Sequence, residues 1–322
     1  MSLRLDIKRS GSLTNYFSNV VRSRFKWFWR FMGMFPWISD LSTIVLLRAM
    51  EKTIPRIPDQ TTHHDYKTYD GLYDESRTVH ALLLPKMSKA KTSKLPDVDE
   101  VKELFRRKEF KPEDHRQSSV FFPFWAQWFV HQFFNSSTEV PGTPQWQTGF
   151  NLSQLYGSFK HEQEMRTFDK GRIKTESVNG EEYPRTTENQ FKGYKIAGHQ
   201  AFMGDKVFDV PVMPFNALPG IMAIHTVMIR NHNRNAERLA TAYPRMDDEE
   251  IFQKAKLISI AQVMKVTMED YVNKHILASN VEIRFRPNLL KTRHWRYFKP
   301  ASFMPSNSIS SEFNFLYRWH QL

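Results

Sequence analysis

The chain has no cysteine, which removes disulfides, thiolate metal sites and cysteine nucleophiles together. Near the N-terminus it also lacks any uncharged run close to the roughly 20 residues that a helix needs to span a bilayer. The longest uncharged stretches near the N-terminus are residues 31–39 and 41–47, and Pro36 interrupts the first of them. Residues 1–12 carry neither an apolar signal core nor a small-residue cleavage site, so they give no support to a secreted route. Internal repeats and low-complexity tracts are missing, as are the HExxH, P-loop, GxSxG and GxGxxG patterns, which removes zincin, nucleotide-loop, serine-hydrolase and dinucleotide readings. Acidic residues are in deficit: 34 Asp and Glu stand against 46 Lys and Arg, a net charge of +12 over 322 residues.

What is present is an ordinary globular composition, 40% hydrophobic and 25% charged, with aromatics at 14%. The charge excess is concentrated. Residues 1–35 hold Arg4, Lys8, Arg9, Arg22, Arg24, Lys26 and Arg30 against Asp6 alone. Interleaved with them are Phe17, Phe25, Trp27, Phe28, Phe31, Met32, Met34, Phe35 and, just beyond, Trp37. Short helices that are aromatic on one side and basic on the other have the composition of elements lying in the bilayer interface. The apolar partners favour a lipid surface over nucleic acid, so a monotopic membrane contact through residues 12–50 is expected and no nucleic-acid partner is.

Residues 54–94 read as loop, with Pro55, Pro58, Pro85 and the His63-His64 pair, which is read as solvated. Pro96-Asp97 then opens a charged helix through Phe105. Pro219-Gly220 precedes a helix over residues 221–239, whose polar end holds Arg230, Asn231, His232, Asn233 and Arg234. His232 is assigned to a structural polar network there. A further helix starts behind Asp247 and Glu250, spaced as a capping box, and runs to Tyr271; its middle is apolar nearly all round, which predicts burial. Strand signals are few, the clearest at residues 207–210. The fold class is mainly α.

Two segments carry residue types suited to chemistry. Residues 120–134 are the densest apolar segment of the chain, yet contain Gln127 and His131, four apart and so on one helical face. Burying such a pair without partners is costly. Near the end of the sequence, Tyr317 and His320 stand three apart, with Asn314 extending the row. A lone imidazole commonly holds haem iron, and a Tyr one turn away suits electron or hydrogen-atom exchange with it.

These motifs carry a resemblance. Ala126-Gln-Trp-Phe-Val-His-Gln-Phe-Phe134 resembles the distal haem helix of the cyclooxygenases (prostaglandin endoperoxide synthases) within the animal haem peroxidase superfamily, and Glu312-Phe-Asn-Phe-Leu-Tyr-Arg-Trp-His320 resembles their proximal helix. Between them, in the family's order, come Asn151-Leu-Ser-Gln-Leu-Tyr-Gly157, Leu218-Pro-Gly220 with Arg230-Asn-His-Asn-Arg234, and Glu269-Asp-Tyr-Val272. The resemblance implies a helical haem peroxidase-like catalytic domain over residues 57–322, preceded by a tail and monotopic membrane-binding helices over residues 1–56. It implies one haem b per chain, with His320 as axial ligand, His131 as distal acid/base, Gln127 orienting the peroxide, Tyr317 as the radical tyrosine and Tyr271 as its hydrogen-bond partner. The implied activity is peroxidase plus fatty-acid dioxygenase, with a polyunsaturated fatty acid and O2 as substrates and an α-dioxygenase-like or linoleate diol synthase-like oxygenase, or an inactive membrane-bound fragment, as alternatives. The expected location is membrane-associated and intracellular, and a homodimer is left open. Two departures stand out. Met50 occupies the position of the family's carboxylate-binding Arg, and Gln132 stands where calcium-binding relatives have Asp, so no calcium is expected. The family's catalytic domain also continues well past its proximal His, so a missing C-terminal portion is expected here.

Overall fold

A computed structural model describes residues 95–106, 118–133, 151–157, 159–189 and 204–277, with residues 109, 195–196, 199–200 and scattered positions between 27 and 40. Tyr317 and His320 lie outside the described residues, as do Met50 and the His63-His64 pair. The chain divides into two compact units, residues 55–260 with 305–322 and residues 1–54 with 261–304.

The described elements are mainly helical, as expected. They are α1 (Val98–Phe105), α2 (Phe121–Val130), α3 (Ser153–Tyr156), α4 (Phe159–Met165), α5 (Pro219–Ala242) and α6 (Asp248–Val266), the last running on as a π-helical segment, Thr267–Leu277. The two capped helices start where the sequence places them. Asp97 accepts the backbone N–H of Asp99 at 2.8 Å ahead of α1, and Asp247 accepts that of Glu250 at 2.8 Å ahead of α6. Asp248, Glu249 and Glu250 then line the first turn of α6, where the helix dipole favours negative charge.

α2 and α5 pack directly together. The contact is made at Gly220, where an added Cβ would lie 2.1 Å from the Phe124 ring, so a residue without a side chain lets the two helices meet. α5 and α6 form a hairpin around Ala236, Ile251 and Ala255, edged by Leu239, Ala240 and Met246. Here the expected burial of the middle of α6 is corrected. Leu257 is 64% and Ile258 37% exposed, whereas Ser259 is buried. The helix buries a single stripe, Ile251, Phe252, Ala255, Ser259 and Val263, and the apolar residues off that stripe face outward.

Among the described residues between α4 and α5 lie six short strands in three antiparallel pairs. β1 (Thr175–Val178) pairs with β2 (Glu181–Pro184) and β3 (Thr186–Glu188) with β6 (Lys206–Phe208), while β4 (Lys195–Ile196) pairs with β5 (His199–Gln200). β6 matches the expected strand at residues 207–210, and the β1–β2 hairpin is additional. Its two-residue turn, Asn179-Gly180, has φ of 53° and 82°, the left-handed geometry that tight hairpins require.

In the unit formed by residues 1–54 and 261–304, Trp27, Phe31, Met34 and Trp37 are each more than half exposed, and Phe31 meets Phe35 edge-on at 5.4 Å. Among the described residues, no helix is long and apolar enough to cross a membrane.

Candidate functional site

α2 is an apolar aromatic helix that buries Ala126, Trp128 and Val130. Gln127 and His131 alternate with them in burial and are only half-buried, on one face and one turn apart. His131 closes the helix, with φ of −65° and ψ of −15°. Its imidazole meets the ring of Phe215 edge-on, centroids 5.2 Å apart and planes at 86°. Phe215 comes from the 3-10 turn Met213–Ala217 that leads into α5, and is fully buried.

The backbone beside His131 is held by Gln132, a buried amide with three ties. Its Nε2 donates to the Phe129 carbonyl at 3.0 Å, its Oε1 accepts the Leu152 N–H at 3.3 Å, and its backbone carbonyl accepts the Ser153 hydroxyl at 3.3 Å. Leu152 sits in the left-handed region at φ 56°, a conformation that a branched apolar side chain rarely adopts unaided. The Gln132 amide therefore ties the end of α2 to the start of α3.

Two further histidines of α5 are fully buried. His232 Nε2 lies 2.9 Å from the Gly171 carbonyl, an acceptor only, so the proton sits on Nε2 and Nδ1 accepts the Tyr156 hydroxyl at 2.8 Å. This is the structural network expected for His232. His225 Nδ1 accepts the Trp128 indole N–H at 3.5 Å, an interaction that reaches back to α2. Burial holds the His225 pKa down to about 3, with the charge of His161 adding to it, and burial holds that of His232 to about 4. Burial likewise pushes the Tyr156 hydroxyl far above its ordinary range.

Both histidines are neutral in the fold and have an ordinary value of 6.5. As pH falls below 6.5, the unfolded chain takes up protons that the folded chain refuses until about 4 for His232 and about 3 for His225. Stability is thus lost with falling pH, by roughly 1.4 kcal/mol per pH unit for each ring. Thermal unfolding is expected to show a falling Tm already between pH 6.5 and about pH 5, above the range in which ordinary carboxylates titrate. A Tm that stays flat over that interval would show that the two rings are open to solvent.

A buried cation braces the start of α6. Arg166 donates to Asp248 at 2.7 Å and to Glu249, and its guanidinium lies 4.3 Å from the centroid of the Phe252 ring. Asp248 also accepts the Gly171 N–H at 2.6 Å, so this ion pair and the His232 bond grip the same loop residue.

Of the expected site residues, the structure brings Gln127 and His131 together on one half-open face. Tyr271 is buried in the π-helical segment of the other unit. Among the described residues there is no cluster of three or more His, Cys, Asp or Glu able to hold a bare metal ion. A haem needs no such cluster, because the porphyrin supplies four ligands and one imidazole suffices. An apolar aromatic wall carrying one imidazole and one amide fits the peroxide side of that group.

A family model described as animal haem peroxidase matches residues 147–322, more than half of the chain. The chain is 32% identical to prostaglandin G/H synthase 2 of Cavia porcellus over 340 residues, covering 99% of this chain and 52% of that protein. It is 30% identical to prostaglandin G/H synthase 1 of Mus musculus, again covering 99% and 52%. It therefore spans about half the length of the curated relatives it matches. Among solved structures, fatty acid alpha-dioxygenase of Oryza sativa is similar with a TM-score of 0.57 at 16% identity, covering 94% of this chain and 57% of that one. The Arabidopsis thaliana alpha-dioxygenase gives 0.56 at 15% identity, covering 88% and 56%. At these identities the likeness is one of fold.

Proposed function

The chain belongs to the animal haem peroxidase family, and from that premise we propose that it is a cyclooxygenase-like oxidoreductase, a haem-dependent fatty-acid dioxygenase with peroxidase activity. Family membership implies a haem cofactor; haem b, one per chain, is part of the proposal. The observation that carries the reading is the pair Gln127 and His131, half-buried on one face of an otherwise apolar helix, in a chain similar to prostaglandin G/H synthases over 99% of its length.

Haem, when bound, supplies the redox centre at which a peroxide O–O bond is cleaved. The protein residues do the rest. His131 takes the proton from the incoming peroxide oxygen and returns it to the leaving one, a transfer that general acid–base catalysis accelerates by about 10²–10⁴. Gln127, one turn earlier on the same face, donates its amide hydrogen to the peroxide and orients it. His320 would hold the haem iron. Tyr317 would give up its phenolic electron and proton to the oxidising equivalent that peroxide cleavage leaves, and its radical would take a hydrogen atom from a bound polyunsaturated fatty acid, restoring the phenol and leaving a carbon radical that captures O2. Tyr271 is proposed as the hydrogen-bond partner of Tyr317. With Met50 at the carboxylate position, the fatty acid is held mainly by burial of its methylenes, about 0.8 kcal/mol each.

Titration of the protein with haem is expected to develop a Soret band, and mass spectrometry after incubation with several polyunsaturated acids is expected to find hydroperoxides or endoperoxides. No Soret band under any reconstitution condition overturns the enzyme reading in favour of an inactive fragment. A product oxygenated only at the α-carbon favours the α-dioxygenase alternative.

The exposed Trp27, Phe31, Met34 and Trp37 among basic residues support monotopic binding to an anionic lipid surface. Co-sedimentation with anionic vesicles is expected to drop when residues 12–50 are removed, and unchanged binding rejects the membrane proposal.

A further inference from the structure

We propose that Phe215 is the positioning residue of His131: its ring sets the orientation in which the imidazole meets peroxide. The inference rests on the reading of His131 as the proton carrier and names the device that aims it.

His131 caps the C-terminal end of α2 with its backbone still helical, and its side chain is half-buried. Gln132 fixes the backbone at that point through Phe129, Leu152 and Ser153, and the Phe215 ring bears on the His131 side chain itself. The ring of Phe215 meets the imidazole at 86°, an arrangement in which the edge of one ring rests on the face of the other. An edge-on contact is directional where a purely apolar wall is not.

The support behind Phe215 is equally specific. Its ring is fully buried and meets His225 at 5.8 Å and 65°. His225 is in turn tied to Trp128 of α2, three residues before His131. The path from Trp128 through His225 and Phe215 to His131 thus begins and ends on the helix that carries both Gln127 and His131. The indole N–H only donates, so His225 accepts on Nδ1 and carries its proton on Nε2. Its depth in the fold keeps it uncharged, so no cation stands behind the ring that supports His131. A Leu at position 215 would keep an apolar surface and lose the edge.

The test uses the full chain reconstituted with haem, and the same chain without it. In the haem-free protein, ¹H NMR is expected to show cross-relaxation between the ring protons of His131 and Phe215, and the Phe215→Leu variant to move the His131 imidazole resonances. In the holoprotein, Phe215→Leu is expected to lower kcat for peroxide reduction by tenfold or more, since a misplacement of about 1 Å costs about 10²-fold. The KM for the reducing co-substrate and the Soret band are expected to stay unchanged. An unchanged kcat, or no cross-relaxation in the wild-type chain, overturns the proposal. Should Phe215→Leu not fold, the cross-relaxation measurement decides alone. His131→Leu separates the two levels: if it leaves peroxide reduction intact, the proton-carrier reading itself fails; if it abolishes the reaction while Phe215→Leu does not, only the positioning role falls.

Discussion

Replacing His131 by Leu is expected to slow peroxide reduction by about 10²–10⁴-fold while haem binding survives. The substitution keeps an apolar side chain of similar bulk against Phe215 and removes the one group on that face of α2 able to take up and return a proton near neutral pH. Gln127 cannot stand in, because an amide donates and accepts hydrogen bonds without carrying a proton between two oxygens. The buried histidines cannot either: His232 has both ring nitrogens engaged with Tyr156 and Gly171, and His225 is fully buried behind Phe215 and held uncharged. His320 is the residue proposed to hold the haem iron, so loading with haem is expected to be unaffected, which separates a catalytic defect from a binding defect. Stopped-flow measurement of peroxide consumption on protein with a normal Soret band provides the comparison. A rate within a factor of about three of the parent would be too small a loss for a proton carrier. Gln127→Ala is expected to cost less, because it removes orientation and leaves the proton path intact.

The part of this site that the sequence makes legible is the part governed by local geometry. Residues four apart on a helix share a face whatever packs around them, so Gln127 and His131 could be paired before any tertiary contact was known. The cap at Asp247 is local in the same way, since its partner Glu250 is three residues away. Asn179-Gly180 carried a hairpin signal of equal strength, but the flanking residues, Thr-Glu-Ser-Val and Glu-Glu-Tyr-Pro, lack the alternation that normally accompanies it. Tertiary partners are another matter. His225 reads as one imidazole in an amphipathic helix until Trp128, 97 residues earlier, is seen to reach it. Gln132 looks like one more polar residue after a helix until its amide is seen to bond Leu152, 20 residues on. Arg166 carries a surface residue type yet is buried, because its partners arrive from Asp248 and Glu249 some 80 positions later. The misread middle of α6 has the same cause. Periodicity announces a helix, but only its neighbours decide which stripe is covered. Ser259 tolerates burial because its hydroxyl bonds back to the Ala255 carbonyl at 2.9 Å and accepts from Asn235.

Tyr317→Phe is expected to abolish oxygen uptake on polyunsaturated fatty acid and to leave peroxide reduction close to the parent rate. The argument turns on how little the substitution removes. The aromatic ring and its place three residues before His320 in the sequence are kept, and only the phenolic O–H is lost. A phenol can give up a hydrogen atom and hold the resulting radical; a benzene ring of the same shape cannot. If the two activities are joined through this residue, the loss falls on the oxygenation alone, because proton transfer to peroxide is proposed to be the work of His131. His131→Leu is expected to behave differently, slowing both activities, since oxygenation requires the oxidising equivalent that peroxide cleavage provides. The pair of variants therefore tests the coupling as well as the two residues. One lesion upstream should depress both reactions, and one lesion at the junction should depress only the second. Oxygen-electrode traces and peroxide-consumption rates on the same preparations supply the four measurements. If Tyr317→Phe spares both activities, Tyr317 is a packing residue and the hydrogen abstractor lies elsewhere. If it depresses both equally with a weakened Soret band, its role is to support the haem, and a radical at this position is no longer needed to account for the chemistry.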